Sequence, residues 1–242
     1  MELKYQRILL KISGESLGGS KGTGYDPAVI QTLGNELVDL SRQNVQIAIV
    51  IGAGNIFRGN DLTDPTLEHP LNQVTADQIG MLGTVMNAMV FSETLERLGL
   101  TTHVFSTHEV VSITEGYSVK NAGSALNRGE VVLLAGGTGN PLFTTDTAAS
   151  LRGIELGVDL VLKATKVDGV YDADPVRFPD AKRRAKLTYD EVIRQELQVM
   201  DLSAILLCRE HKVPLIVYKL TSEGALDRIC RGQNEGTLVT SD

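Results

Sequence analysis

Short apolar runs of strand length alternate with helical patterns along almost the whole of the 242-residue chain. Most runs are continuous stretches of valine, isoleucine and leucine, which is typical of strands that are covered on both faces. Strand–helix–strand repetition predicts a mainly parallel central sheet between two helical layers, that is, a three-layer α-β-α sandwich. We expect one domain over residues 1–242, because this length is ordinary for a single α/β domain.

The patterns predict six strands and five helices. The strands are expected at residues 8–12, 45–51, 101–105, 131–134, 160–162 and 215–218. The helices are expected at about 27–40, 77–98, 145–156, 189–196 and 202–211. Asp26 is the expected cap of the first helix, with Pro27 at its first position. Asp77 and Thr145 are the expected caps at the starts of the second and third helices.

Glycine clusters follow three of these strands, at residues 14–19, 52–59 and 136–139. In parallel sheets, ligands bind beyond the carboxyl ends of the strands. Glycine lets backbone N–H groups approach a phosphate closely, and a helix start just after the loop adds a positive dipole end. One such loop alone is more often only a turn. Three loops at one edge predict a site that holds several phosphates.

The two common nucleotide motifs are both missing from the sequence. No G-x-x-x-x-G-K-[ST] string occurs, and Phe57 stands where the dinucleotide motif that starts at Gly52 and Gly54 needs its third glycine. The phosphate site therefore belongs to another architecture.

Charged and hydroxyl side chains stand beside these loops. Lys11 lies in an apolar strand, where a buried ammonium group needs an anionic partner. We favour a bound phosphate as that partner over the alternative that the Lys11 side chain only extends to solvent. Arg58 is either a bidentate hydrogen-bond donor to phosphate oxygens or an ordinary surface arginine. Asp146 is either a favourable first-turn acid or a carboxylate that orients Lys11 and a second lysine. Thr144 and Thr145 open a helix that suits the phosphate of an acceptor.

Phosphoryl transfer mainly needs positioning and charge neutralisation, which suits this residue set. Mg²⁺ would be held mainly by the phosphates. No metal ligands of the protein are expected, because the spacing of the four histidines (His69, His103, His108 and His211) is unlike that of a metal site.

Two further segments have open interpretations. Asp77 is either a plain helix cap or an acceptor for a sugar hydroxyl. The apolar residues of its helix are expected to pack against the core or a subunit: Ile79, Leu82, Met86, Met89 and Val90. The polar stretch 168–186 contains Pro175 and Pro179, and its length predicts a lid or a nucleotide-facing loop. No motif is recognised in residues 60–73.

Composition narrows the class of protein. A formal net charge of −7 disfavours nucleic-acid binding, although it allows small anionic ligands. The apolar runs are far shorter than the ~20 residues of a membrane span, and the first residues lack an apolar signal core. Two cysteines, Cys208 and Cys230, form no disulfide framework. These features predict a cytoplasmic α/β enzyme or binding protein that does not contact a membrane.

Four strings resemble the motifs of bacterial uridylate kinases, which belong to the amino-acid kinase fold group. They are KISGES from Lys11, IGAGNIFRG from Ile51, GTGNPLFTTD from Gly137 and KATKVDGVYDADP from Lys163. The resemblance runs from about residue 7 to 238, and GNPLFTTD and NIFRG are its most specific parts. It implies Mg²⁺-dependent in-line transfer from ATP to UMP, giving ADP and UDP for pyrimidine nucleotide synthesis. It also implies GTP activation, UTP inhibition and a homohexamer built as a trimer of dimers.

The resemblance also assigns residues to each ligand. For ATP, they are Lys11, Ile12, Ser13, Gly14, Gly54, Arg58, Thr165, Tyr171 and Asp174. For UMP, they are Ala53, Asp77, Thr138, Gly139, Asn140, Pro141, Leu142, Phe143, Thr144 and Thr145. Around the transferred group, they are Lys11, Arg58 and Asp146. For activation by GTP, they are Gly19, Ser20, Lys21, Gly22, Thr23 and Gly24. Ala53 departs from the usual glycine; it keeps the main-chain N–H, but a positive φ there would be strained.

Two alternatives stay open at the level of the sequence. The same fold can phosphorylate a carboxylate or a carbamate, although the long 138–145 segment and Asp77 favour a nucleotide acceptor. The second alternative is a nucleotide-binding regulator or storage protein that catalyses no reaction.

Overall fold

The computed structural model describes residues 2–172, 178 and 180–242. The strands are β1 (Arg7–Ile12), β2 (Gln46–Ile51), β3 (Thr102–Ser106), β4 (Glu115–Gly116), β5 (Val131–Ala135), β6 (Leu160–Thr165), β7 (Val170–Tyr171), β8 (Arg183–Arg184), β9 (Lys186–Thr188), β10 (Leu215–Lys219) and β11 (Thr237–Thr240). The helices are α1 (Gly14–Leu17), α2 (Pro27–Arg42), α3 (Gly59–Leu62), α4 (Gln73–Arg97), α5 (Val119–Asn127), α6 (Thr145–Glu155), α7 (Tyr189–Arg194), α8 (Leu202–Glu210) and α9 (Ala225–Cys230). A 3-10 turn spans Gly19–Lys21.

Within the described residues, nine strands form one sheet in the order β4-β3-β5-β2-β1-β6-β10-β11-β9. Its paired strands run parallel, apart from the antiparallel pair β10–β11. The prediction of a mainly parallel central sheet with helices on both faces is confirmed. The six predicted strands are all present, and β1, β2 and β6 lie at the centre of the sheet.

The central strand β1 shows why the apolar runs are continuous. Ile8, Leu10 and Ile12 are fully buried in a core cluster that also contains residues of α2, α4 and α9. Leu9 is equally buried, but it belongs to the cluster on the opposite face with residues of α5, α6 and α8. Successive side chains of a strand point to opposite faces, so a sheet covered on both sides needs apolar residues at every position.

Local capping decides where the helices begin. Asp26 caps α2 by accepting from the backbone N–H of Ala28 (3.0 Å), and Pro27 is its first residue, as predicted. The prediction that Asp77 begins the long helix is wrong: α4 begins at Gln73 with Asn72 as its cap, and Asp77 lies in the second turn.

The cap of α6 also differs from the prediction. The Thr144 hydroxyl accepts from the Asp146 N–H at 3.0 Å, so Thr144 is the cap and Thr145 is the first helical residue. Thr144 has the extended backbone that a capping residue needs.

The 168–186 segment, predicted as a loop, contains a short antiparallel pairing of β7 with β8. Pro175, Pro179 and Asp174 lie outside the described residues. Of the described helices, none has the length and apolar character to cross a membrane. Cys208 and Cys230 are both free and buried.

Three apolar residues of α4 do not join the core of the chain. Leu82, Met86 and Met89 are 55%, 52% and 43% exposed, whereas Ile79 and Val90 are half-buried. The core alternative is therefore wrong for Leu82, Met86 and Met89, and the subunit alternative stays a prediction.

Candidate active site

The three glycine loops meet at the carboxyl ends of β1, β2 and β5, which are neighbours in the sheet. A Cβ atom on Gly14 would lie 2.5 Å from the backbone nitrogen of Gly54. A Cβ atom on Gly52 would lie 3.4 Å from the Thr145 hydroxyl. Glycine is needed at position 14 because the first two loops touch through their backbones. The predicted convergence of the loops is present.

Lys11, Asp146 and Lys163 form a buried charged trio at this edge. The Nζ atom of Lys11 lies 2.7 Å from Oδ1 of Asp146, and Nζ of Lys163 lies 2.7 Å from Oδ2. Lys163 also donates to the Val199 carbonyl at 2.6 Å. The two lysines are register partners on the adjacent strands β1 and β6. Lys163 is therefore the second lysine that was expected beside Asp146.

The trio carries two positive charges against one negative charge, and its surroundings shift the proton equilibria. Burial opposes ionisation of Asp146, but Lys11 and Lys163 outweigh it and hold the pKa of Asp146 below its usual value. Burial lowers the pKa of Lys163, and the attraction of Asp146 offsets part of that shift. A buried excess of positive charge is costly unless an anion binds there.

Arg58 stands at the mouth of the second loop and contacts Glu15 instead of Asp146. Its Nε donates to the Gly54 carbonyl at 3.2 Å, and its Nη2 lies 3.2 Å from Oε1 of Glu15. Lys166 Nζ lies 3.9 Å from the other Glu15 oxygen. Arg58 and Glu15 are both substantially exposed, so the guanidinium can exchange this carboxylate for a phosphate. Sequence reasoning assigned no role to Glu15.

A cleft of about 250 Å³ lies beside the second and third loops. Its lining includes Ala53, Gly54, Phe57, Gln73, Asp77, Gly137, Phe143, Thr144 and Thr145. The structure therefore brings Ala53, Asp77, Phe143, Thr144 and Thr145 of the predicted acceptor set together. Ala53 is absent from the non-glycine residues with positive φ, so its side chain causes no backbone strain.

The remaining predicted acceptor residues lie along the loop that leads to α6. Asp77 Oδ2 accepts from the backbone N–H of Leu142 at 2.8 Å, so this carboxylate already holds the loop. Thr138 and Asn140 bond to each other within a turn and line a separate groove beside α8. Gly139 lies between Thr138 and Asn140, and Pro141 precedes Leu142; both residues are partly exposed.

Asp201, the cap of α8, anchors the start of α6 and was not singled out from the sequence. The Thr147 hydroxyl donates to Asp201 Oδ1 at 2.8 Å, and the Thr144 hydroxyl donates to Oδ2. Asp201 Oδ1 also accepts from the Ala204 N–H at 2.8 Å. The only sequence signal for this residue is an aspartate just before a helical pattern.

A second cleft has a volume of about 410 Å³. Its lining includes Ser16, Gly19, Ser20, Asp26, Thr165, Lys166, Leu220 and Thr221. Thr165, predicted to contact ATP, and Gly19 and Ser20, predicted to respond to GTP, therefore face the same space. Sequence reasoning had assigned no role to Lys166 or Leu220.

The structure describes most of the other residues assigned to ATP and GTP, and they do not line this cleft. Ser13 caps α1 by accepting from the Ser16 N–H, and Ile12 is buried in the core. Tyr171 lies on β7 and donates to Asp168 Oδ1 at 2.5 Å, which raises the pKa of Tyr171. Of the segment that leads away from the cleft, Lys21 and Thr23 are exposed and Gly22 is buried, and Gly24 bonds to Asn55. Asp174 lies outside the described residues. Across the described part of the chain, no group of three or more His, Cys, Asp or Glu residues could hold a metal ion.

The model of the Amino acid kinase family matches residues 6–219. The chain is 49% identical to a uridylate kinase of Alcanivorax borkumensis, over 98% of the chain and 92% of that relative. It is 48% identical to a uridylate kinase of Vibrio campbellii, over 98% and 96%. Its fold is similar to that of the UMP kinase of Bacillus anthracis, with a TM-score of 0.93, 34% identity and coverage of 98% and 97%. The UMP kinase of Ureaplasma parvum gives a TM-score of 0.90, 30% identity and coverage of 98% and 100%.

Proposed function

The chain belongs to the amino acid kinase family and, within it, to the uridylate kinases, and on that basis we propose that it transfers the γ-phosphoryl group of ATP to UMP. Uridylate kinases are nucleoside monophosphate kinases, and the chain is an enzyme of this class. ADP and UDP are the products, and UDP enters pyrimidine nucleotide synthesis. Residues 1–242 act as one domain in this proposal.

The position of the charged trio is the observation that carries the proposal. Lys163 is on β6, two residues before Thr165, which lines the larger cleft. Asp146 directly follows Thr145, which lines the smaller cleft. Lys11 leads into the loop that touches Gly54. We therefore place the trio between the two clefts, with ATP in the larger and UMP in the smaller.

In this arrangement the protein binds and orients, and it needs no nucleophile of its own. The ammonium groups of Lys11 and Lys163 neutralise charge on the transferred phosphoryl group, and Asp146 holds both in place before the substrates bind. Arg58 exchanges Glu15 for phosphate oxygens of ATP. The N-terminus of α6, with Thr144 and Thr145, accepts the phosphate of UMP in line with the γ-phosphoryl group.

Mg²⁺ belongs to the proposal as a phosphate-held ion. Two carboxylates beside the loops already have cationic partners, Asp146 with two lysines and Glu15 with Arg58. This donor set fits an ion that keeps water and binds mainly through substrate phosphates, where it supplies charge neutralisation. Removal of Mg²⁺ with a chelator is expected to abolish transfer.

An acceptor panel tests the proposed substrate. ADP release from ATP is measured with UMP, CMP, glutamate and aspartate, each with and without GTP and UTP. We expect transfer to UMP above all, with activation by GTP and inhibition by UTP. Transfer to an amino acid without transfer to UMP would replace the proposal with a carboxylate kinase, and binding of both nucleotides without turnover would replace it with a regulator.

Assembly and location are part of the same proposal. We propose that the reaction takes place in the cytoplasm and that the active form is a homohexamer, built as a trimer of dimers. The exposed apolar residues of α4, namely Leu82, Met86 and Met89, support a contact between subunits, because one helix face carries all three.

A further inference from the structure

Two buried asparagines, Asn55 and Asn87, form a closed hydrogen-bonded pair beneath the glycine loops. Asn87 is completely buried on α4, and Asn55 is 5% exposed in the second loop. Nδ2 of Asn87 donates to Oδ1 of Asn55 at 2.7 Å, and Nδ2 of Asn55 donates to Oδ1 of Asn87 at 3.1 Å. Each primary amide therefore has its carbonyl satisfied and one N–H proton left for another acceptor.

Both remaining protons go to backbone carbonyls of different segments. Asn87 donates to the carbonyl of Gly52 at 2.7 Å, at the start of the second loop. Asn55 donates to the carbonyl of Gly24 at 2.8 Å, at the end of the 19–24 segment. The backbone of Asn55 also accepts from the Gly24 N–H at 2.9 Å. The pair thus joins α4, the second loop and the 19–24 segment in one network.

The first loop rests on the same network. A Cβ atom on Gly14 would lie 2.6 Å from Oδ1 of Asn55 and 2.7 Å from the carbonyl oxygen of Gly52. These two oxygens are the acceptors of the two Asn87 hydrogen bonds. A shift of the Asn87 side chain would therefore move the two oxygen atoms that pack against Gly14.

We propose that Asn87, acting through Asn55, is a positioning residue for the ATP phosphates. Asn87 fixes the position of the Gly52 carbonyl. In this way it also fixes the position of the Gly54 N–H and of Gly14, where the first loop contacts the second. Neither asparagine touches reacting atoms, so neither is a catalytic residue. The inference deepens the proposed function and rests on it for the identity of the donor.

The chemistry of the pair explains why both positions need an amide. Each side chain must donate two hydrogen bonds and accept at least one in a buried site. An aspartate cannot donate, and a leucine of similar shape can do neither. Loss of one partner leaves buried polar groups unsatisfied, which is unfavourable unless the loops move to find new partners.

Kinetics and binding of the full chain test the inference with three variants: Asn87→Ala, Asn55→Ser and the double variant. The matched control is Ser92→Ala, on the same helix, because the Ser92 hydroxyl is also largely buried but bonds to Thr102, away from the loops. The readouts are kcat, KM for ATP, affinity for a non-hydrolysable ATP analogue, affinity for UMP, and Tm.

We expect Asn87→Ala and Asn55→Ser to lower kcat/KM for ATP and the affinity for the ATP analogue by roughly tenfold to a hundredfold. UMP affinity should fall by a smaller factor than the affinity for the ATP analogue. The double variant should lose about as much as the more affected single variant, because the two side chains act as one unit. Ser92→Ala should change Tm alone.

Wild-type ATP parameters in the asparagine variants, with only a lower Tm, would reduce the pair to a packing role and overturn the inference. Equal losses of ATP and UMP affinity would also overturn it. If Asn87→Ala does not fold, Asn55→Ser decides the question by the same readouts. If the wild type fails to phosphorylate UMP, the proposed function fails, while the affinity of these variants for the ATP analogue still tests the positioning role.

Discussion

At the residue scale, Asp146 is the centre of the site because its two oxygens contact the two lysines of the trio. Lys11 and Lys163 are held at 2.7 Å from its two oxygens. Without the carboxylate, two ammonium groups on adjacent strands would repel each other in a buried place. The side chain therefore fixes both cations next to each other at this edge of the sheet.

Asp146→Asn tests this role by keeping the shape and removing the charge. We expect kcat to fall about a hundredfold or more, because the lysines lose their preorganised arrangement. Asp190→Asn is the control, since Asp190 bonds only to Arg209 on the surface in the contacts described here. Initial rates of ADP release give the answer, and near-wild-type kcat in Asp146→Asn would remove Asp146 from the mechanism.

The depressed pKa of Asp146 also predicts how stability depends on pH. Because its pKa is lower in the folded state, the unfolded chain binds more protons at acidic pH, and stability rises with pH there. The contribution is complete above the ordinary aspartate pKa of about 3.9 and is lost as the pH falls through the lower folded value. Urea unfolding of the wild type and of Asp146→Asn over that range measures it; parallel pH profiles would contradict it.

At the element scale, α4 is the template on which the loops are placed. Asp77 holds the Leu142 N–H, the Thr84 hydroxyl accepts from the Gly136 N–H at 2.8 Å, and Asn87 holds the Gly52 carbonyl. These residues are seven and three positions apart, so they lie on one face of the helix. Gly83 lies between them and lets the second loop come close.

Gly83→Ala tests the close approach of the second loop to α4. A Cβ atom at this position would lie 2.8 Å from the Cβ atom of Ala53, which has to move. We expect weaker UMP binding and no gain in stability. In Gly123→Ala on α5, where the new methyl group meets nothing within 4 Å, we expect a gain of about 1 kcal/mol from helix propensity. Calorimetry with UMP and urea unfolding compare the two; unchanged UMP affinity in Gly83→Ala would contradict the template role.

The central strands and their glycine loops were predictable from the sequence because a doubly covered strand is apolar at every position. The start of α4 was not, since its first turn, residues 73–76, mixes polar and apolar residues without a clear helical pattern, and Ala76 is the one buried residue of the four. A second lysine beside Lys11 was expected, but its identity as Lys163 was not predicted, for another reason. It depends on β6 lying beside β1, and strand order between segments about 150 residues apart in the sequence leaves no local signal.

At the scale of the whole molecule, one sheet edge holds two clefts, and the α4 face that points away from the loops is apolar and exposed. That face predicts contact between subunits in the proposed hexamer. Met86→Glu combined with Met89→Glu should dissociate the assembly by placing charges in an apolar contact. Leu202→Glu on α8, also at an exposed leucine, is the control. Sedimentation velocity measures the mass of the assembly. An unchanged oligomer in the double variant would exclude this face of α4 as a contact between subunits.

In the proposed reaction, the trio assists transfer of a phosphoryl group from ATP in one cleft to UMP in the other. The most direct measurement is the initial rate of UDP formation from ATP and UMP by the wild type and by Lys11→Ala, with UMP affinity measured in parallel. We predict UDP formation by the wild type and a loss of about a hundredfold or more in Lys11→Ala, with UMP still bound. Equal rates in the two proteins, or no UDP from the wild type, would contradict the claim.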